Sequence, residues 1–387
     1  MRTQMMRWLL IGLLIVIGFA SLNGLWNITS TSDFGKADFI AYWSATYLLQ
    51  HNQNPYDEAA MDALQHGPMN TEVKETIMAW NPPSVFVFVL PFVFVPFTTA
   101  RFLLLLVNLI ILFAAGLMLT WLYLPRGKPW LMMVYLLFAL TFPQVLSGLF
   151  MGQITFFVFF GLVCAMVLIK KEKWFWAGVV LVLTTIKPQL VVLTLIYLLV
   201  SMARKRHYTS WLGLALAGLV SAVLLFVLRP NLISDVIGLM AIAPIHWATP
   251  TIGGLLSYWQ LTDYGRYLIV LFLPLPFILI KYESKISMEL AVAILTLVTL
   301  PTTFFGWSYD QTMLLIPIAQ IFSWVSLSKN RMFNFCLVSA SLIAVGFIFY
   351  QRIVSRNDVY YLWVPLLLSL IFGLVWYKTS QTRPVEI

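Results

Sequence analysis

Charge is scarce in this sequence: 10% of its 387 residues are Asp, Glu, Lys or Arg, against roughly a quarter in an ordinary soluble domain. The shortage argues against a solvated globular domain. The net charge of +9 does not indicate nucleic acid, because the bases stand in short clusters between apolar runs, where membrane topology explains them. Cysteine is nearly absent. Cys164 and Cys336 both fall inside apolar segments, which argues against a disulfide framework or a thiolate metal site. No GxxxxGK[ST] loop or Rossmann glycine fingerprint occurs, so nucleotide hydrolysis and a nucleotide-sugar fold have no support. HExxH, CxxC and G-x-S-x-G are missing too.

What the chain has is hydrophobic length. Apolar residues make up 61% of it, in runs near 20 residues without strict alternation. That is the pattern of a polytopic α-helical membrane protein and not of a β-barrel. Thirteen apolar segments can be drawn, the first (Trp8 to Leu25) read as a retained anchor behind Arg2 and Arg7. If all thirteen cross, the clusters KKEK (170–173) and ARKRH (203–207) fall outside, against the positive-inside rule. Treating NPPSVFVFVLPFVFVP (81–96) as non-spanning restores the parity, and its four prolines give the reason. The expectation is all-α, with about twelve transmembrane helices (range 11–13) and both termini inside. The inner side then carries a net +12 and the outer side −3. One membrane domain, 1–387, carries two outer loops, 27–83 and 229–266.

The first outer loop is a polar island holding seven of the fifteen acids. Within it, KADFIAYWSATYLL (36–49) reads as an interfacial helix with an apolar stripe of Phe39, Ile40, Trp43 and Tyr47. Asp38, Tyr42 and Ala45 share another face. A partly desolvated carboxylate at the lipid–water boundary has a raised pKa and suits a general base; the plainer reading of Asp38 is a solvated loop acid. Asp57 reads as the N-cap of a short helix. Further along, Gly148, Gly152 and Gln153 sit at an outer helix end, and Lys187 stands before Pro188 at another. A lysine there either snorkels or pairs with an anion such as phosphate. His246 lies in the second outer loop, structural or functional, and Asp310 at the mouth of a span.

Five segments occur together in order: DFIAYWSATYLLQHNQNPYD (38–57), NPPSVFVFVLPFVFVP (81–96), GQITFF (152–157), AGVVLVLTTIKPQLVVL (177–193) and GWSYDQTMLLIPI (306–318). In this they resemble glycosyltransferase family 87, a branch of the multi-spanning GT-C class that includes polyprenyl-phosphate-mannose-dependent mannosyltransferases. The resemblance implies a GT-C-type fold and Asp38 as catalytic base, with the GQ and KP motifs matched at Gln153 and Lys187. It also implies an outer-loop histidine near the donor phosphate, aligned loosely with His246. Many family members carry histidine where this chain has Asp310, so no role is copied to that position.

The implied reaction is inverting transfer of a sugar, mannose foremost, from a polyprenyl-phosphate donor to a lipid or glycan acceptor on the extracytoplasmic face of the cell membrane. Tyr42, Gln153 and Asp310 are expected at the substrate, with Lys187, Arg229, Arg266 or His246 stabilising the leaving phosphate. No metal or other cofactor is expected, and no nucleic-acid partner. The sequence leaves the oligomeric state open. The alternative is a transporter or flippase for a lipid-linked or anionic substrate. It predicts midplane charges and paired broken helices; no convincing internal repeat is visible, and most charges map to span ends.

Overall fold

The structure, a computed structural model, describes residues 20–67, 69, 75–241, 246–328, 330–355 and 357–382. Most of the anchor expected at Trp8 to Leu25 lies outside the described residues. The described chain is helical, with no strand. Its helices are α1 (20–31), α2 (Phe39–Gln50), α3 (Glu58–His66), α4 (Ser84–Val89), α5 (Phe97–Tyr123), α6 (Pro129–Thr141), α7 (Pro143–Met151), α8 (Thr155–Lys170) and α9 (Trp174–Leu181). They continue with α10 (Val192–Arg204), α11 (Thr209–Leu228), α12 (Leu232–Ala241), α13 (Ile252–Tyr258), α14 (Leu275–Lys281), α15 (Met288–Thr302), α16 (Leu315–Leu327), α17 (Arg331–Val354) and α18 (Trp363–Thr382).

Five helical stretches among the described residues are long and apolar enough to cross a membrane: Phe97–Tyr123, Thr209–Leu228, Tyr264–Lys281, Arg331–Val354 and Asp358–Thr379. A sixth is possible if α6 and α7, bent by 49° at Phe142, act as one. By length alone this falls short of the twelve expected, and the reason is interruption. Helices α8, α10 and α15 have 16, 13 and 15 residues, about 20–24 Å at 1.5 Å per residue, against a hydrocarbon core of about 30 Å. Between them run irregular segments: 3₁₀ turns at Val182–Ile186 and Pro188–Leu190, and another at Ser308–Leu314. Non-helical backbone at membrane depth persists where protein buries it or where it lines a cavity. The proline-rich 81–96 is a short α turn followed by a 3₁₀ turn, with eleven residues in Ser84–Phe94, as its prolines require.

The first outer loop differs from expectation in one respect. Helix α2 does not rest with one face in lipid; Phe39, Ile40, Tyr42, Trp43, Ser44 and Ala45 are all buried. It packs against α3, α4 and α5, and the Trp43 indole donates to the Phe92 carbonyl at 3.0 Å. The N-cap at Asp57 forms as expected, its carboxylate accepting from Ala60 N at 3.2 Å. Both cysteines are free.

At one end of the bundle, basic loop residues pair across helices: Lys170 with Glu289, and Lys205 with Glu283 at 3.2 Å. At the other end, the segment carrying Asp38 is docked onto the end of α7. Gly35 N donates to Phe150 O at 2.7 Å and Asp38 N to Met151 O at 3.2 Å. Arg101, buried in α5, holds the same strap through the carbonyls of Ser32 and Phe34. The contact depends on Gly152, which ends α7 in the left-handed conformation at φ 71°. A side-chain carbon there would stand 2.8 Å from Phe39 Cβ and 2.9 Å from Gly35 Cα. Gly152→Ala therefore meets a left-handed penalty of about 1–2 kcal/mol plus a clash with backbone. We expect a lower thermal midpoint in detergent, with loss of function exceeding loss of folded protein because the Asp38 strap is displaced.

Candidate functional site

The strap, the end of α7 and the 3₁₀ turn at 308–314 surround a cavity of about 500 Å³, with the end of α17 closing its far side. Asp38, Ser147, Trp307, Ser308, Tyr309, Arg352 and Asp358 contribute to the lining. Asp38 is part-buried. Its carboxyl is pushed up to about 6, chiefly by desolvation; Lys187 and a contact with the Gln153 amide pull it down, while Asp310 and Asp358 push it up. Above that pH it is an ionised base in a partly dry setting, the condition for accepting a proton near neutrality. Tyr42, one turn along α2, is buried beside it, and its phenol is pushed well above its ordinary range by burial and then by Asp38. It stays a neutral hydroxyl.

Arg352 stands across the cavity near the end of α17. Its guanidinium donates to Asp358 Oδ1 at 3.3 Å, Ser147 Oγ at 3.1 Å and Ser308 Oγ at 2.7 Å, and it lies 4.6 Å from the Tyr361 ring centroid. Asp358 is held in turn by Ser308 N at 2.9 Å and by the Ser308 hydroxyl at 3.0 Å. About a third of the Arg352 side chain remains exposed. A guanidinium so braced and open to a cavity is suited to a phosphate or carboxylate.

Behind the wall lies a second, closed cluster. Lys187 Nζ donates to Asp310 Oδ1 at 2.8 Å and to Gln153 Oε1 and Thr155 Oγ at 3.0 Å each. The Thr155 hydroxyl also donates to Asp310 Oδ1, and Trp307 N donates to Asp310 Oδ2 at 2.9 Å. Lys187 and Asp310 are 3% and 2% exposed, so neither lines the cavity. The ammonium has three donors, and all three are taken.

The structure thus gathers Asp38, Tyr42, Gln153, Lys187 and Asp310 at one place and leaves the other three outside it. Arg229 pairs with Asp235 at 2.7 Å and donates to Asn52 O. Arg266 is buried, donating to the carbonyls of Trp247 and Phe304 and packing on the Phe305 ring. His246 is exposed and faces Asp263 at 3.4 Å; Ala248, two residues on, is what reaches the cavity. Among the described residues no group of three or more His, Cys, Asp or Glu gathers as a metal site. Arg352, Ser308 and Asp358 escaped the sequence reading. Arg352 entered it only as one of the outer-face charges, and its position at the end of a long apolar run was the available signal.

The buried ion pair yields a stability prediction. Removing one partner strands the other, at a cost of about 3–5 kcal/mol, whereas removing both costs far less. Lys187→Met is expected to lower the thermal midpoint strongly, and Lys187→Met combined with Asp310→Asn to recover much of the loss. The four-member cycle, measured by thermal unfolding in detergent, checks this.

Set beside known proteins, residues 80–236 match the model of glycosyltransferase family 87. Three of the five motifs, with Gln153, Lys187 and Arg229, lie inside the matched span; Asp38, His246, Arg266 and Asp310 lie outside it. No curated protein and no solved structure gives a significant match.

Proposed function

We propose, with the glycosyltransferase family 87 assignment carried by residues 80–236 as premise, that this membrane protein transfers a sugar from a polyprenyl-phosphate donor to a lipid or glycan acceptor. Mannose is the sugar we favour, the extracytoplasmic face of the cell membrane the location, and a GT-C-type arrangement the architecture. In that arrangement the short apolar helices complete crossings in end-to-end pairs, towards the twelve that the charge distribution suggests. The observation that carries the reading is the cavity itself, whose lining includes both a carboxyl of raised pKa and a braced, part-exposed arginine.

In the proposed step Asp38 takes the proton of the acceptor hydroxyl as its oxygen attacks the anomeric carbon. The bond from that carbon to the phosphate oxygen breaks, and its electron pair leaves with the polyprenyl phosphate. Attack opposite to departure inverts the anomeric centre. Arg352 would face the charge that develops on the leaving phosphate. Because a phosphate is already a competent leaving group, we propose that transfer needs no metal, and expect activity to persist in a chelator. A buried ion pair among broken helices is also what a transporter would show. Here the pair sits at helix ends, near Thr155 and Pro188, and sugar transfer by the purified protein decides between the readings.

Asp38→Asn is expected to lower transfer from a polyprenyl-phosphate sugar by at least about 100-fold, the usual scale for a general base, with folding preserved. Near-normal transfer would remove Asp38 from the chemistry. For the wild type, kcat/KM should fall on the acid side with a midpoint at about pH 6, since protonation below that value removes the base. Arg352→Gln should raise the KM for the donor by about 10–100-fold, the worth of a hydrogen bond to a charged group, with the acid limb moving somewhat upward because Asp358 loses its counter-charge.

A further inference from the structure

Asp310 lies next to the cavity yet cannot touch its contents. It is 2% exposed, and both carboxylate oxygens are occupied, Oδ1 by Lys187 and Thr155 and Oδ2 by Trp307 N. Lys187 has no donor left for a substrate either. The cluster must therefore act through something else, and Gln153 is the connection. Its Oε1 is held by Lys187 at 3.0 Å, and its backbone carbonyl by Asn108 Nδ2 at 2.9 Å. Its amide nitrogen is buried and has no hydrogen-bond partner. The bond from Asp38 N to Met151 O and the close approach of Gly152 to Phe39 set this residue beside the Asp38 strap, and the Gln153 side chain pulls down the pKa of both the Asp38 carboxyl and the Tyr42 hydroxyl. An amide anchored by an ammonium at one end thus offers its free donor to the candidate base at the other.

We propose that Lys187 and Asp310 are positioning residues that act on Asp38 through Gln153: Lys187 fixes the amide so that Nε2 holds the Asp38 carboxylate, and Asp310 cancels the Lys187 charge so that the carboxylate stays basic. The inference rests on the reading of Asp38 as general base. A bare ammonium behind Gln153 would stabilise the ionised carboxylate and weaken it as a base. Paired with Asp310, the ammonium pulls on Asp38 less than it would alone, and the oriented dipole of Gln153 acts beside it. The other groups around Asp38 leave this balance in place. Arg352 and Asp358 compensate each other across the cavity at 3.3 Å. Burial, the largest cause, holds the phenols of Tyr42 and Tyr309 neutral.

The test is the titration of Asp38 in full-length protein purified in detergent. It is followed by NMR of ¹³C-labelled aspartate carboxyls, with Asp38→Asn assigning the resonance, and alongside it by the pH profile of kcat/KM. Asp310→Asn keeps the shape but removes the charge; it should lower the Asp38 pKa by about one unit or more, the scale of an unmasked neighbouring cation. The acid limb should move down with it while the donor KM holds. Gln153→Leu, which removes the donor, should move both upward. Asp310→Glu, which keeps the charge, should bring the titration back towards the wild-type value.

If Asp310→Asn raises the donor KM with the Asp38 titration unmoved, Asp310 is a binding residue and the proposal falls. It falls equally if Gln153→Leu leaves the titration in place, an arm that stands even where Asp310→Asn fails to fold. A titration that moves as stated in protein showing no sugar transfer upholds the coupling while overturning the glycosyltransferase chemistry.

Discussion

A lysine taken out of water imposes two conditions: its three donors must be met and its charge balanced, at several kcal/mol if either fails. At Lys187 both conditions are met by groups from distant parts of the chain, Gln153 and Thr155 after the α7 break and Asp310 in the turn before α16. Each partner sits where regular helix has given way. Thr155 begins α8 behind a left-handed glycine, Lys187 lies between two 3₁₀ turns, and Asp310 is within a third. The short helices of this bundle and its buried ion pair are therefore one feature: backbone interruption brings the polar groups together, and their mutual satisfaction makes interruption tolerable in an apolar interior.

Glycine does the same work in the helical layers. Helices α9 and α11 approach so closely that a side-chain carbon at Gly178 would stand 1.8 Å from the Ser210 carbonyl oxygen, and one at Gly213 2.1 Å from that of Phe175. Dispersion gained by such contact offsets the weak hydrophobic drive between helices in lipid. At the opposite end of the bundle from the cavity, the pairs Lys170–Glu289 and Lys205–Glu283 tie α8 to α15 and α10 to the turn after α14. The two ends are thus chemically distinct, one with lysines paired to glutamates across helices, the other with the aspartates and arginine of the cavity.

How much of this was legible follows from what each feature needs. Gln153, Lys187 and Asp310 stood out because a polar residue in an apolar run needs a reason, and the N-cap at Asp57 because its signal is local. That the first three bond one another was not legible, since it depends on the meeting of segments about 30 and 120 residues apart. Arg352 was invisible for the same reason: it becomes a cavity residue only when α17 packs beside α7. Arg229, Arg266 and His246 show the converse. Outer-face position made them candidates, but each has found a local partner. Helix α2 looked amphipathic by side-chain type, yet the weight of apolar residues around it allows enclosure on all sides. Hydropathy counted segments, not continuity, which is why the expected twelve spans compare with five unbroken helices of sufficient length among the described residues.

The aspartate at 310 bears on how the labour is divided within the cavity. Its charge is the point, and a neutral histidine at that place makes the contrast. A neutral imidazole would leave the Lys187 charge uncompensated and available to an anion, whereas a carboxylate consumes it. With Asp310 in place, the pull of Lys187 on the Asp38 carboxyl is offset in part, and burial still holds that carboxyl above its ordinary range. A cation left partly open to the cavity is Arg352, braced by Ser147, Ser308 and Asp358. Asp38 and Arg352 both line that cavity with no ion pair between them, so on the proposed reading each keeps its charge for the substrate.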